Sequence, residues 1–461
     1  MNTTSVKQYL IKGGAWAFAG KIASLFVGLA LSSLLARLLS PEDMGAYFLA
    51  FNLATFFSIF SRMGIDQTLQ RFVAEELGRN QPHAACVIIR KGLTLTLTSA
   101  LLVALAVYMW VGSWMNQHFF TSDRLGNSIG FVSLWLILLT FQHVFTAIFQ
   151  AAQQIRIAVI VNGLLTSLMA AFFISYYLLI KEYPTLSQIL LLVLIAGGCN
   201  ILFASLALMN KKANIKKTIK KNRPVRYARL VGHSWPLLIN TVMMFILSQS
   251  GLWVMGAFSS DAEVAAYGAA IRLVLLTSMT LTIINTIIPP LIVHLHADNQ
   301  KERLEKILIS TATIAAIPAL TLLFCYIFFG SWILELVFGE YYRRGATVLM
   351  ITSLGQAVNV LVGSCGYVLI MTGHNHAMML ITIASAIIAL GGSLLLVQNY
   401  GGTGVAIGYT VAMFVQQLAM LLFVRYRCGV WTHASLPRIT LLSAAIRYLL
   451  KNDNLFEQDS K

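Results

Sequence analysis

Apolar residues run through this chain in long blocks rather than alternating or recurring on one face. Twelve blocks, at 13–39, 44–63, 86–111, 129–150, 155–180, 186–209, 232–258, 265–292, 308–333, 346–372, 377–398 and 403–425, are separated by short polar segments. Each is long enough for a helix, rising about 1.5 Å per residue, to cross about 30 Å of hydrocarbon. In lipid a helix satisfies its own backbone hydrogen bonds, whereas an open strand does not. The pattern predicts an all-α polytopic membrane protein of about 12 transmembrane helices, numbered below as spans one to twelve. The first block is much longer than the about 7 to 15 residues of a signal-peptide core, so it reads as a retained span. After span two, Asp66 to Arg79 has the spacing of a short amphipathic helix, and Asp298 to Lys306, after span eight, is its more polar counterpart.

Composition sharpens this picture. Of 461 residues, 58% are hydrophobic and 11% charged, against about 25% charged in soluble domains, which excludes a soluble globule. The net charge of +16 would suit a nucleic-acid binder if it formed one basic face, but the basic residues lie between the apolar blocks and read as topology signals. With the N-terminus inside, 26 of the 33 Lys and Arg residues fall on inner segments and four on outer ones. This bias predicts both termini in the cytoplasm. The densest basic run, Lys211 to Arg229, follows span six and divides the chain. The predicted organisation is an N-terminal six-helix lobe at 1–210, a basic cytoplasmic linker at 211–230, a C-terminal six-helix lobe at 231–425 and a cytoplasmic tail at 426–461.

Landmarks recur across the linker. Trp16 answers Trp235, Tyr47 answers Tyr267, and Gly112-Ser113-Trp114 answers Gly330-Ser331-Trp332, at offsets of 219, 220 and 218. Because six is even, both halves enter the membrane in the same sense. The expectation is two parallel repeats around a central cavity.

Several chemistries are missing. Gly14 to Ile22 superficially suggests a phosphate loop, but its spacing is wrong by one, Ile22 stands where Ser or Thr is required, and the segment is apolar helix. No nucleotide, other cofactor or metal is therefore expected. All 17 carboxylates fall in loops, at span ends or in the tail. The five cysteines have no metal-ligand or CxxC spacing and are expected to be small buried side chains. The longest outer segment, about Gly112 to Ser128, is short for the water-exposed site of a polysaccharide polymerase or ligase, and the chain is not expected to be an enzyme.

The segment Arg37-Leu-Leu-Ser-Pro-Glu-Asp-Met-Gly-Ala-Tyr47, joining spans one and two, resembles the signature loop of polysaccharide flippases in the multidrug/oligosaccharidyl-lipid/polysaccharide exporter superfamily. Met44 stands where that family usually has an aromatic residue. In this loop Pro41 ends the first helix, Arg37 is placed to snorkel toward Glu42 and Asp43, and Gly45 permits close packing. Tyr400-Gly-Gly-Thr-Gly-Val-Ala406 is similar to the family's glycine-rich outer turn before span twelve. The resemblance implies transfer of an undecaprenyl-diphosphate-linked oligosaccharide from the inner to the outer leaflet of a bacterial cytoplasmic membrane. It also implies a role in surface polysaccharide, lipopolysaccharide or O-antigen synthesis, with membrane lipids and polymerase or chain-length proteins as partners. An ion-coupled drug exporter of the same superfamily is the alternative, set back by the absence of a carboxylate within the spans.

Candidate site residues follow from the cost of burying charge and polarity. Lys21 and Arg272 each sit roughly 10 to 12 Å from the nearer end of a span at 1.5 Å per residue, and no span carboxylate is available to either. Under the repeat offset Lys21 corresponds to Asn240 and Arg272 to Asn52, as faces lining one cavity would. A cationic cavity suits an anionic diphosphate. Snorkelling to headgroups is the competing reading. Gln249, Asn285, Gln356 and Asn359 are further candidate cavity groups, and His143 is a candidate proton relay. Pro289-Pro290 is expected to kink or end span eight.

Overall fold

The structure, a computed structural model, describes residues 3–79, 81–120, 122–180, 184–215, 227–286 and 288–435. Most of the linker, and the tail beyond 435, lie outside the described residues. Those described are helical or in short connections, and ten helices among them are long and apolar enough to cross a membrane. The last of these, Asn375–Cys428, is two spans joined at Gly401 (φ 54°, ψ −136°), where the chain turns in a region open to glycine. This is the glycine-rich turn after Tyr400. A Cβ on Gly404 would lie 2.4 Å from the Leu396 carbonyl oxygen, so spans eleven and twelve pack backbone against backbone there.

Span eight is long enough in sequence but is delivered as three pieces, Asp261–Thr277, Met279–Ile284 and Ile288–Ala297. Pro289 and Pro290 fall in the first turn of the last piece, where missing N–H groups cost nothing. Span ten also breaks, at Gly363 (φ 80°) between Ala346–Val362 and Cys365–Met371. A Cβ at Gly363 would meet the Thr432 carbonyl oxygen at 2.7 Å. By contrast Asp298 to Lys306 does not form a separate surface helix. From Lys301 it is the beginning of one helix running to Phe338, because nothing after Asn299 breaks the turn. The amphipathic segment after span two is the helix Ile65–Gly78, which buries Ile65, Thr68, Leu69, Phe72 and Val73.

The chain forms two compact units, one of Met1–Phe18, Ala270–Leu334 and Arg343–Lys461, the other of Ala19–Ala269 and Glu335–Tyr342. Compactness thus divides the chain elsewhere than the basic linker does. Span seven belongs to the second of these units. Its Gly256 lies against Leu49 and Phe120, and its Trp253 meets Phe56 edge-on with ring centroids 4.5 Å apart. The repeated tryptophans Trp114 and Trp332 are each 58% exposed, as interfacial residues are. Of the five cysteines, Cys365 and Cys428 are buried, Cys86 and Cys325 half-buried, and Cys199 exposed. The expectation of small buried side chains is met at Cys365 and Cys428, met only in part at Cys86 and Cys325, and fails at Cys199 because span six presents one face outward.

Candidate functional site

In the unit of Ala19–Ala269 and Glu335–Tyr342, the first helix brings Lys21 to a half-buried position. The helix approaches span five closely at this level: a Cβ on Gly20 would lie 2.1 Å from Val159 Cγ1. Lys21 makes no hydrogen bond or ion pair among the described residues. Just beyond Val159 the span five helix is interrupted at Asn162 (φ −71°, ψ 35°) and Gly163 (φ 106°, ψ −20°). The interruption releases backbone carbonyls into a buried setting, where each needs a donor. Asn200 Nδ2 supplies one, donating to the Val161 carbonyl at 2.9 Å and to Thr166 Oγ1 at 2.9 Å. Thr166 Oγ1 in turn donates to Gln142 Oε1 at 3.3 Å. Asn200 Oδ1 has no partner among the described residues. His143, beside Gln142, is half-buried and within electrostatic range of the Arg62 guanidinium.

Asn52 and Gln249 meet in the same unit, Asn52 Nδ2 donating to Gln249 Oε1 at 3.1 Å, while the buried Asn52 Oδ1 has no partner among the described residues. Asn240 is half-buried on the helix Tyr227–Phe258. Arg62, counted from the sequence only as a topology signal, is 8% exposed, with Nη1 3.0 Å from Asp66 Oδ2 and Nε donating to the Ser58 carbonyl. A cation followed by an acid four residues on was the available signal.

The other unit holds Arg272, half-buried on Asp261–Thr277, and the remaining amides. Here Gln356 Nε2 bonds to the Tyr409 hydroxyl, Asn359 Nδ2 donates to Gln356 Oε1 at 3.1 Å, and Gln417 Nε2 donates to Asn359 Oδ1 at 2.9 Å. The Cys365 thiol closes the chain on Gln417 Oε1 at 3.3 Å. Asn285, where span eight breaks, accepts from Ser364 Oγ, where span ten breaks, at 2.5 Å. A strap after span twelve covers the second break, with Thr432 Oγ1 donating to the Val362 carbonyl and the Ala434 N–H to the Leu361 carbonyl.

The signature loop is stabilised differently from expectation. Ser40 caps the helix from Pro41, its Oγ accepting from the Asp43 N–H at 3.2 Å. Glu42 and Asp43, in that helix's first turn, are met by Arg124 rather than Arg37: Arg124 Nη1 lies 2.8 Å from Asp43 Oδ1 and 4.0 Å from Glu42 Oε2. Arg37 instead donates to the Leu336 carbonyl at 2.5 Å, and Ser33 donates to Val337, so both serve the open C-terminus of Lys301–Phe338. The reason is directional. The chain turns sharply at Ser40, and the last turn of one helix no longer faces the first turn of the next. Gly45 is required by contact, since a Cβ there would lie 1.8 Å from the Asp261 carbonyl oxygen. Asp261 accepts from Ser122 Oγ at 2.6 Å. Burial pushes its carboxyl above the ordinary value, and the nearby acids Asp43 and Glu42 add to this, against the Ser122 bond and Arg124. Among the described residues no group of three or more His, Cys, Asp or Glu side chains is arranged for a metal.

The family model for polysaccharide biosynthesis proteins matches residues 10–296, and the MatE model matches 236–395. The capsular polysaccharide biosynthesis protein CapF of Staphylococcus aureus is 22% identical over 431 residues, 90% of this chain and 99% of that protein. Among solved structures, an inward-facing multidrug resistance MATE family transporter of the MOP superfamily superposes with a TM-score of 0.74 at 14% identity, covering 90% of this chain and 98% of that one. The lipid II flippase MurJ, in an inward closed conformation, gives 0.58 at 15%, covering 95% and 91%. A MOP superfamily transporter from Pyrococcus furiosus, described as having a binding pocket of reverse polarity, gives 0.61 at 15%, covering 92% and 96%. At these identities the structural likeness establishes the fold alone: an all-α, multi-pass architecture.

Proposed function

The chain belongs to the polysaccharide biosynthesis protein family, and on that premise we propose that it is a flippase for a polyprenyl-diphosphate-linked oligosaccharide. It carries the lipid from the inner to the outer leaflet of a bacterial cytoplasmic membrane by alternating access, with both termini in the cytoplasm, and it performs no covalent chemistry. The functional lobes in this reading are 1–210 and 231–425. Lys21 and Arg272 contact the diphosphate, and the glycan is destined for surface polysaccharide such as capsule or O-antigen.

The observation that carries the reading is Lys21: a cation well inside a span, half-buried and without a partner among the described residues. Holding such a charge at a helix centre costs about 2.5 to 3.5 kcal/mol on insertion scales, and an anionic ligand offsets that cost. The Pyrococcus furiosus structure, whose reversed pocket polarity is described as suggesting a different function, supports a reading in which the charge of the pocket and the function go together. A drug exporter is the second reading, favoured by the MATE likeness and opposed by the lack of any acid within the spans.

Deleting the gene and identifying the lipid-linked sugar that accumulates on the inner leaflet tests the substrate class. Lys21→Ala and Arg272→Ala are expected to reproduce the accumulation at normal membrane abundance. Wild-type glycan export by both variants refutes the anion contact. Loss of drug tolerance on deletion, with no lipid-linked sugar accumulating, replaces the flippase reading by the exporter.

A further inference from the structure

At one level of the unit containing Ala19–Ala269, the ends of four spans meet the amphipathic helix Ile65–Gly78. Pro82 begins span three, Ile148 to Ala152 ends span four, Gln154 precedes span five, and Leu208 closes span six. Together they surround an open cavity of about 190 Å³, walled by hydrocarbon such as Val73, Leu77, Ile89 and Phe149, with only the Gln154 amide and the Cys86 thiol as polar side chains. The buried Gln154 Oε1 has no hydrogen-bond partner among the described residues. None of the transport candidates lines this space.

An enclosed apolar cavity of about 150 Å³ stays dry and takes up small hydrocarbons; this cavity is open, and its lining of the same kind favours a hydrocarbon chain over water. Its depth says which. Span ends lie where headgroups meet acyl chains, so the hydrocarbon at hand is the upper part of a phospholipid tail. The lipid's charge follows from this side of the chain. On the topology predicted from the sequence, all four ends lie on the side whose segments carry 26 of the 33 basic residues, a density that gathers anionic lipids. The helix from Pro82 adds a positive end: it has no acid in its first turn and no side-chain cap from Gln81.

We propose that this cavity holds the acyl chain of an anionic phospholipid from the surrounding leaflet, with its phosphate at the start of span three. The bound lipid would fill the joint between the amphipathic helix and spans three to six. The proposal is independent of the transported substrate.

The test uses the full chain in vesicles of phosphatidylcholine with phosphatidylglycerol, carrying trace phosphatidylglycerol or phosphatidylcholine with a photoactivatable group in one acyl chain. Adducts are mapped by peptide mass spectrometry. Labelling is expected on peptides spanning 82–89 and 148–154, about tenfold stronger with the phosphatidylglycerol probe, equivalent to about 1.4 kcal/mol, and similarly reduced in Ala152→Phe. Equal labelling by the two probes, or labelling elsewhere only, overturns the proposal. A second readout needs no variant. Phosphatidylglycerol added to the detergent-purified wild type should slow maleimide alkylation of Cys86 about tenfold while leaving the exposed Cys199 unchanged. An unchanged Cys86 rate overturns it as well.

Discussion

The two compact units treat their buried amides in opposite ways. In the unit containing Ala270–Leu334 and Arg343 onward, Gln356, Asn359 and Gln417 hand hydrogen bonds along a chain that ends on Tyr409 at one side and Cys365 at the other. In the unit of Ala19–Ala269, Asn52 and Asn200 each spend their N–H groups and leave a carbonyl oxygen without a partner among the described residues, and Lys21 has none at all among them. Buried polar groups that satisfy one another rigidify a helix bundle. Those left open keep binding capacity for something else. The difference teaches that polar residues within spans are not one class, although their spacing along the chain looks alike.

The largest effect should come from the open side. Lys21→Met is expected to lower glycan export by tenfold or more, about 1.4 kcal/mol or above, with normal membrane abundance, while Lys21→Arg keeps the charge and most of the export. Equal export in both variants would show that the charge at this position is idle. Next comes the closed network. Gln417→Leu leaves Asn359 Oδ1 and the Cys365 thiol without partners, which should cost about 1 to 3 kcal/mol, seen as a fall of several degrees in the melting temperature with transport per folded molecule unchanged.

Asn200→Leu sharpens the contrast. It removes two donated bonds from the span five interruption but also removes an oxygen that already lacked a partner among the described residues. The net loss should be nearer 1 kcal/mol, and a loss exceeding that of Gln417→Leu would break the comparison. The smallest effect concerns Asp261, whose carboxyl holds its proton to higher pH in the folded chain than its ordinary value of 3.8. Its contribution is most favourable below that value and is lost as pH rises through the folded value. A melting curve series from pH 4 to 7 should therefore decline slightly in wild type and flatten in Asp261→Asn.

The glycine-rich turn and the signature loop show how far local chemistry could be read. Gly45 and Gly401 stand where the chain must pack closely or turn, and the backbone does those things there, whereas Pro41, read as ending the first helix, instead opens the second, the first having ended at Leu38. The pairing of Arg37 with Glu42 and Asp43 was not legible, because proximity along the chain says little once Ser40 redirects it. Arg124, 81 residues beyond Asp43, takes that place. Membership of the closed amide network was equally hidden. Gln356 and Asn359 are neighbours on one helix, but Tyr409 and Gln417 reach them only when span twelve packs alongside.

What the sequence by itself determined is the solvent, the class and the family: blocks of apolar residues of membrane-crossing length admit only helices, and charge segregates to their ends because burying it costs several kcal/mol. Only the tertiary structure decided where spans eight and ten break, which carboxylates meet which cation, and which amides are closed or open. Burial energy depends on how many apolar residues a span contains, a sum readable in one dimension. Hydrogen-bond satisfaction depends on which donor meets which acceptor within about 3 Å, and that is settled only when helices from distant parts of the chain come to lie side by side.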